Sequence, residues 1–209
     1  MPRTRPPLLV VCALRIESLA LRRGVAKAAA PEQTGGRPVA LLRTGMGPEA
    51  ADRAVRRALH GPGLDEAEEV SVLGTGFCAG LAPGMRPGDV VVSDQGDGGA
   101  ALAAALKAAG FTVHTGLLAE SDHVVRGAER TALAASGAIA VDMESAAMRR
   151  AALAEGAHRV AVARVVVDTP EYELVRVGTL RTGIIAFRVL RDLVPAFLDW
   201  HRTTALPWR

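Results

Sequence analysis

The feature that most constrains this chain is a set of short segments that are apolar from end to end. LLVVCAL (residues 8–14), GDVVVSD (88–94), AIAVDM (138–143) and RVAVARVVVD (159–168) show almost no alternation of apolar and polar residues. A strand with one wet face alternates; a strand covered on both faces does not. Three more runs, PVALLRTGMG (38–47), EVSVLGTGFCAGL (69–81) and FTVHTGLLAES (111–121), end in glycines or polar residues. Helical patterns separate the runs: 16–24, 48–59 with Pro48 in its first turn, 99–110, 126–136, 144–156, and 178–202 with a kink expected near Pro195. Seven strands alternating with about six helices predict an α/β fold with helices on both sides of a sheet. Residues 24–37 read as an exposed loop, and no linker or repeat divides residues 1–209, so one domain is expected. With only 3% aromatic residues, Val, Leu and Ala must build the core.

The charge pattern excludes some functions. The 25 Lys and Arg are spread along the chain, the net charge is +3, and no basic run forms a nucleic-acid arm. Cys12 and Cys78 lie in apolar runs without metal-ligand spacing, which fits buried thiols in a reducing cytoplasm and no metal centre. The first apolar run is short and is broken by Arg15 and Glu17, so it reads as a strand and not as a signal peptide. No run approaches the roughly 20 apolar residues that span a membrane.

In α/β sheets, ligands collect beyond the carboxyl ends of strands. The polar residues there are Arg15 and Glu17, Gly45 and Gly47, Thr75 to Gly80, Asp122 and His123, Asp142 to Glu144, and Asp168. Acids from distant parts of the chain at one end of a sheet make a candidate site. Each has a plainer reading. Glu144 and Glu17 could be first-turn helix acids, Asp168 a turn residue, His123 an ordinary histidine, and Gly45 and Gly47 a plain turn rather than a phosphate nest. Asp142 is expected to face a helix N-terminus or solvent.

Four segments, in order along the chain, resemble the nucleoside phosphorylase and nucleosidase superfamily, which includes purine nucleoside phosphorylase and methylthioadenosine/S-adenosylhomocysteine nucleosidase. They are VVCALRIESLAL, RTGMGPEAA, GTGFCAGLAPGMRPGDVVVSD, and AVDMESAAM followed by ARVVVD. The resemblance implies a three-layer phosphorylase/hydrolase-like fold with a central mixed sheet flanked by helices. It implies cleavage of the N-glycosidic bond of a purine nucleoside, with no metal or organic cofactor and with phosphate as co-substrate in a phosphorolysis. Glu17 matches the glutamate that orients or deprotonates the nucleophilic water, Glu144 the ligand of the ribose hydroxyls, and Met143 the residue packed on the sugar. Asp168 matches the acid that donates a proton to N7 of the departing purine, a role that burial would assist by raising its pKa. Thr75, Gly76 and Phe77 fall where the family lines its base pocket, and His123 falls near a base-stacking aromatic. A homodimer is implied as well.

The chain also departs from the family. Only QGDGG follows VVVSD, where methylthioadenosine nucleosidases carry a longer excursion, so a more open 5′ side is expected. Val167 precedes Asp168 in place of the family's serine. SVLGTG lacks the arginine of hexameric phosphorylases, which leaves Arg15 or Arg43 with the Gly45–Gly47 turn as the phosphate site and keeps both phosphorolysis and hydrolysis open. The hopanoid-associated phosphorylases resemble this chain in compactness and in AVDMESAA, which implies adenosylhopane as substrate. The alternatives are a methylthioadenosine/S-adenosylhomocysteine or futalosine nucleosidase, and a nucleoside-binding protein without turnover. The last helix carries Ile184, Phe187, Leu190, Val194, Phe197 and Leu198 beside Arg188, Arg191 and Arg202; it reads as core packing or, alternatively, as a peripheral membrane contact.

Overall fold

The computed structural model describes residues 7–28, 39–62, 64, 69–170 and 179–204. Strand β1 (Leu8–Cys12) shows how the layers arise. All five residues are buried, and successive side chains point to opposite faces. Leu8, Val10 and Cys12 join one core cluster; Leu9 and Val11 join another. Helices α1 (Arg15–Ala28), α3 (Gly99–Ala108), α6 (Thr179–Asp192) and α7 (Val194–Thr204) cover the first face. Helices α2 (Pro48–Leu59) and α5 (Ser145–Ala154) cover the second. Two cores separated by one sheet are the three layers expected from wholly apolar strands.

The sheet is mixed. Strands β2 (Val39–Arg43), β1 and β3 (Ser71–Gly80) run parallel, and β3 also pairs in parallel with β7 (Arg159–Asp168). From β7 the sheet continues through antiparallel β4 (Val90–Ser93) to parallel β5 (Val113–Glu120) and β6 (Ala138–Asp142). β6 returns antiparallel to the end of β3, at Ala79 and Gly80. The second half of the sheet therefore closes on itself through β3. Ten residues allow β3 to serve β1 with its first half and β6 with its last two residues, and its register with β7 shifts at Cys78/Ala79.

Two expected boundaries move. α1 does not stop at Gly24 but runs on to Ala28. Gly24 is instead a crossing point: a Cβ there would lie 2.4 Å from the Arg191 carbonyl oxygen and 2.5 Å from Val194. The rest of the expected loop, residues 29–37, lies outside the described residues. The expected kink near Pro195 is a full break, with α6 ending at Asp192 and α7 starting at Val194. Of the apolar stripe in this last segment, Leu190, Val194, Phe197 and Leu198 are buried, whereas Ile184 is exposed. Trp200 Nε1 donates to the Gly98 carbonyl at 3.1 Å and ties α7 to the start of α3. Among the described residues no helix is long and apolar enough to cross a membrane.

Candidate active site

Glu17 stands in the first turn of α1 yet is only 2% exposed. Its Oε2 accepts the backbone N–H groups of Ala13 (2.9 Å) and Leu14 (2.7 Å), which closes the start of the helix. Its Oε1 accepts the N–H of Phe77 at 2.8 Å, from β3. A carboxylate offers about four lone-pair sites, so three backbone donors fix Glu17 and leave it able to accept one more proton donor. Gly76 is what allows this approach. Its φ is +140°, and a Cβ there would lie 2.5 Å from Glu17 Oε1 and 2.6 Å from Arg164 Nη1.

Glu144 occupies the N-cap position of α5 but makes no capping bond from its side chain. Instead its Oε1 accepts the N–H of Gly47 at 2.9 Å, 97 residues away in sequence. The Gly45–Gly47 turn thus supports an acid. Two neighbouring amides are engaged as well: Thr44 N–H donates to the Cys12 carbonyl (2.9 Å) and Gly45 N–H to the Ala13 carbonyl (3.2 Å). Gly47 has φ +91°, a backbone region that favours glycine, and Pro48 follows it at the start of α2. Arg15 and Arg43 are exposed and lie outside the lining of the cleft that holds the acids.

Beneath these carboxylates lies Arg164 of β7, only 2% exposed. Its Nε lies 2.7 Å from Asp142 Oδ2 and donates to Ser145 Oγ at 2.9 Å; Nη1 donates to the Thr75 carbonyl at 3.1 Å, and Nη2 lies 3.9 Å from Glu144 Oε2. Burial works against its charge, but Asp142, Glu17 and Glu144 around it hold its pKa above the ordinary arginine value. For Glu144 burial dominates and pushes the carboxyl above its usual range, against the pull of Arg164 and of the Gly47 N–H. Asp142 also accepts from the Ser145 hydroxyl and from the Ser145 N–H at 3.3 Å, so it faces a helix N-terminus, and it lines the cleft as well.

Asp168 ends β7 and is buried. Arg130 Nη2 donates to its Oδ2. Arg130 belongs to α4 (Ala128–Ala135) and is the one buried residue of that helix. Its Nε donates to the Val125 carbonyl at 3.1 Å.

One cleft of about 760 Å³, open to solvent, is lined by Glu17, Phe77, His123, Met143, Glu144 and Asp168 together with Arg130, Met46 and Val124. Glu17, Phe77, Met143, Glu144, His123 and Asp168 are thus brought together. Thr75 and Gly76 do not line the cleft: Thr75 is fully buried, and Gly76 makes room for Glu17 and Arg164. His123 is exposed, and its ring nitrogens face Asp122 (2.6 Å) and Glu129 (3.0 Å), which raise its pKa. Cys78 also lines the cleft, but burial pushes its thiol up and away from thiolate chemistry. A second cleft, of about 670 Å³ between α1, α7 and the β1–β2 edge, is apolar apart from Arg22 and offers no chemistry. Among the described residues no group of three His, Cys, Asp or Glu could hold a metal ion.

Sequence reasoning missed Arg164 and Arg130. A usable signal existed for Arg164: a lone charge inside a run otherwise fit for burial must have partners.

The family model of the phosphorylase superfamily matches residues 27–102, which include the Gly45–Gly47 turn and β3. No curated protein matches the chain. Among solved structures, a putative methylthioadenosine nucleosidase from Weissella paramesenteroides superposes with a TM-score of 0.73 at 16% identity, over 96% of this chain and 99% of that one. The 5′-methylthioadenosine/S-adenosylhomocysteine nucleosidase from Neisseria meningitidis, in complex with methylthio-immucillin-A, gives 0.70 at 20% identity over 90% and 98%. The futalosine hydrolase of Helicobacter pylori gives 0.70 at 12% identity over 95% and 98%. Identities this low speak for a shared fold.

Proposed function

We propose that this chain is a member of the phosphorylase superfamily, whose family model matches residues 27–102, and an enzyme that cleaves the N-glycosidic bond of an adenine nucleoside, with water as the nucleophile. The observation that carries this reading is the pair Glu17 and Glu144, from opposite parts of the chain, converging on one cleft and fixed by backbone N–H groups. Departure of the base leaves positive charge on the sugar. Two fixed carboxylates stabilise that charge without having to reorganise. Glu17 holds the water with its remaining acceptor site, and Glu144 accepts the ribose hydroxyls through Oε2. Met143 packs beside the sugar, and Asp168 serves the departing purine from the other end.

The same electrostatics argue for water over phosphate. Arg164 is already surrounded by Asp142, Glu17 and Glu144, and the Thr44, Gly45 and Gly47 amides are spent. An anionic nucleophile would meet carboxylates where it needs donors.

For the 5′ substituent, the reading is a bulky apolar group such as that of adenosylhopane in hopanoid biosynthesis. In support, Met46 (68% exposed) and Val124 (62% exposed) stand on the cleft lining, an apolar rim open to solvent. Only five residues separate β4 from α3, so little chain is available to cover that side. The enzyme needs no metal or organic cofactor in this scheme; a homodimer, a cytoplasmic site of action and a peripheral membrane contact of the last helices remain part of the proposal. The test is adenine release from adenosine, 5′-methylthioadenosine and a 5′-alkyladenosine, each with and without phosphate. Phosphate-independent release that favours the alkyl compound is the expected result. Preference for 5′-methylthioadenosine would reassign the substrate towards that of the fold neighbours, and no release from any would point to a binding protein.

A further inference from the structure

The outer face of α1 gathers charge of one sign. Arg15, Ile16, Leu19, Arg22, Arg23 and Lys27 are all exposed, and at roughly 3.6 residues per turn they share an arc of about 140°. The one acid of the helix, Glu17, is buried on the opposite side. Helix α6 runs beside α1 and continues the face with Arg181, Ile184 and Arg188, all exposed. Two contacts join the helices: the Arg23 guanidinium lies 5.7 Å from the centroid of the Phe187 ring, and Lys27 Nζ lies 3.5 Å from Asp192 Oδ1. Asp192 is the one acid of α6 and also faces Arg191 at 2.8 Å. Arg15, Arg22, Arg23, Arg181 and Arg188 have no acidic partner among the described residues. The opposite layer treats its cations differently. Arg53 faces Glu49, Arg56 faces Asp52 and Glu155, and Arg150 faces Glu120. Like charges one turn apart, such as Arg23 and Lys27, weaken a helix unless a counter-charge covers them.

We infer that the face built by α1 and α6 docks this protein on an anionic lipid bilayer. Charge alone would suit any polyanion; the apolar residues among the cations narrow the choice. Ile16, Leu19 and Ile184 make up half of the large apolar residues exposed among the described ones. Arg22 also lines the apolar cleft between α1, α7 and the β1–β2 edge, which offers an acyl chain space beside a cation for its headgroup. Long-stemmed cations interleaved with exposed aliphatic side chains are the composition that settles at the surface of an anionic membrane. Helix α7 takes no part, because Val194, Phe197 and Leu198 are buried. The face begins at the candidate active site: Leu14 and Glu17 line that cleft, and Arg15 and Ile16 lie between them in sequence. Docking therefore holds the start of α1, with Glu17, near the bilayer. That would serve a substrate with an apolar 5′ substituent, but the surface does not rest on that reading.

The test is sedimentation of the full chain with vesicles of phosphatidylcholine alone, or of phosphatidylcholine and phosphatidylglycerol in equal parts, at low and at physiological salt. We expect binding to the anionic vesicles only, weakening as salt rises. Each cation near such a surface is worth about fivefold in partitioning, so Arg22→Gln/Arg23→Gln/Arg188→Gln should bind about 10²-fold more weakly. The matched variant Arg53→Gln/Arg57→Gln/Arg150→Gln, on the opposite layer, should bind like the parent. Leu19→Ser/Ile184→Ser keeps every charge and should still lose about tenfold, the weight of the apolar area it removes. A parent that sediments with neither vesicle would overturn the inference. So would equal losses in the two triple variants, which would leave net charge as the whole effect. Binding that survives Leu19→Ser/Ile184→Ser, with equal retention on heparin, would assign the face to a polyanion and overturn the lipid partner. Vesicle binding is read without turnover, so its failure leaves the enzymatic reading standing, and an inactive cleft leaves the docking face standing.

Discussion

The two ends of the cleft are built differently. At the end proposed for the ribose, Glu17 and Glu144 stand at the starts of α1 and α5, are held by backbone N–H groups, and share one buried cation, Arg164. That end rests on two large core clusters. At the end proposed for the base, His123 sits exposed in the stretch between β5 and α4, and α4 contributes one buried residue, Arg130. The local core there is small: Leu81, Val125, Ala138 and Val141. The comparison separates two demands. Groups that stabilise a charged sugar must not move, because their effect depends on preorganisation. A region that admits and releases a purine gains from being lightly anchored.

The largest effect should come from touching a fixed carboxylate. Glu17→Gln keeps the shape but replaces an acceptor oxygen with an NH₂ group facing backbone donors. Turnover should fall by about 10²–10⁴-fold, the usual weight of a positioned acid or base, with nucleoside affinity retained. Single-turnover adenine release together with equilibrium binding checks both halves. Retained turnover would remove Glu17 from the chemistry.

Arg164→Met should act on stability. Removing one member of a buried ion network leaves uncompensated charge and costs about 3–5 kcal/mol. Denaturant unfolding should show a loss of that size, well above the loss for Arg130→Met, whose site is closer to the surface. Equal losses would erase the proposed difference between the two ends.

Gly47→Ala probes the anchor of Glu144. No atom within 4 Å would obstruct the new Cβ, so the cost is that of the positive φ alone. A loss of about 1–2 kcal/mol is expected, together with a higher KM as the Gly47 N–H shifts away from Glu144. An unchanged KM would mean that Glu144 does not rely on this turn.

The smallest effect is a displaced pH limb. Glu144 must be ionised to accept ribose hydroxyls, and burial raises its pKa. Activity should therefore fall on acidification at a pH above about 4.3, the ordinary glutamate value. The sign for stability is opposite. A carboxyl group whose pKa is raised in the folded state contributes stability that is fully present below the unfolded value and is lost as the pH rises through the folded one. Glu144 thus favours folding across the window in which activity declines. Thermal unfolding followed alongside kcat/KM separates the two, and a parallel loss of both would count against the assignment.

The order of layers was legible because wholly apolar strands must be covered twice, and the acids were legible because they follow those strands. Closure of the sheet was not: it depends on two residue pairs between β3 and β6, far apart in sequence and without a local signature. Gly24 looked like a helix stop because close packing of α1 on the α6–α7 junction cannot be read from one helix. Gly45 and Gly47 were recognisable as a turn, but their task, donating to Glu144, depends on a contact spanning 97 residues. Arg130 lay within an ordinary helical pattern, and nothing nearby marked it as the partner of Asp168.

The most direct test of the account is the fate of oxygen in a single reaction. A 5′-substituted adenosine is incubated with the protein in ¹⁸O-labelled water containing phosphate, and the sugar product is identified by mass spectrometry. The account predicts a free sugar carrying one ¹⁸O at C1′, with a rate indifferent to phosphate. A sugar 1-phosphate without label would contradict it, because the Glu17–Glu144 end of the cleft would then be accepting the anion that its charges oppose.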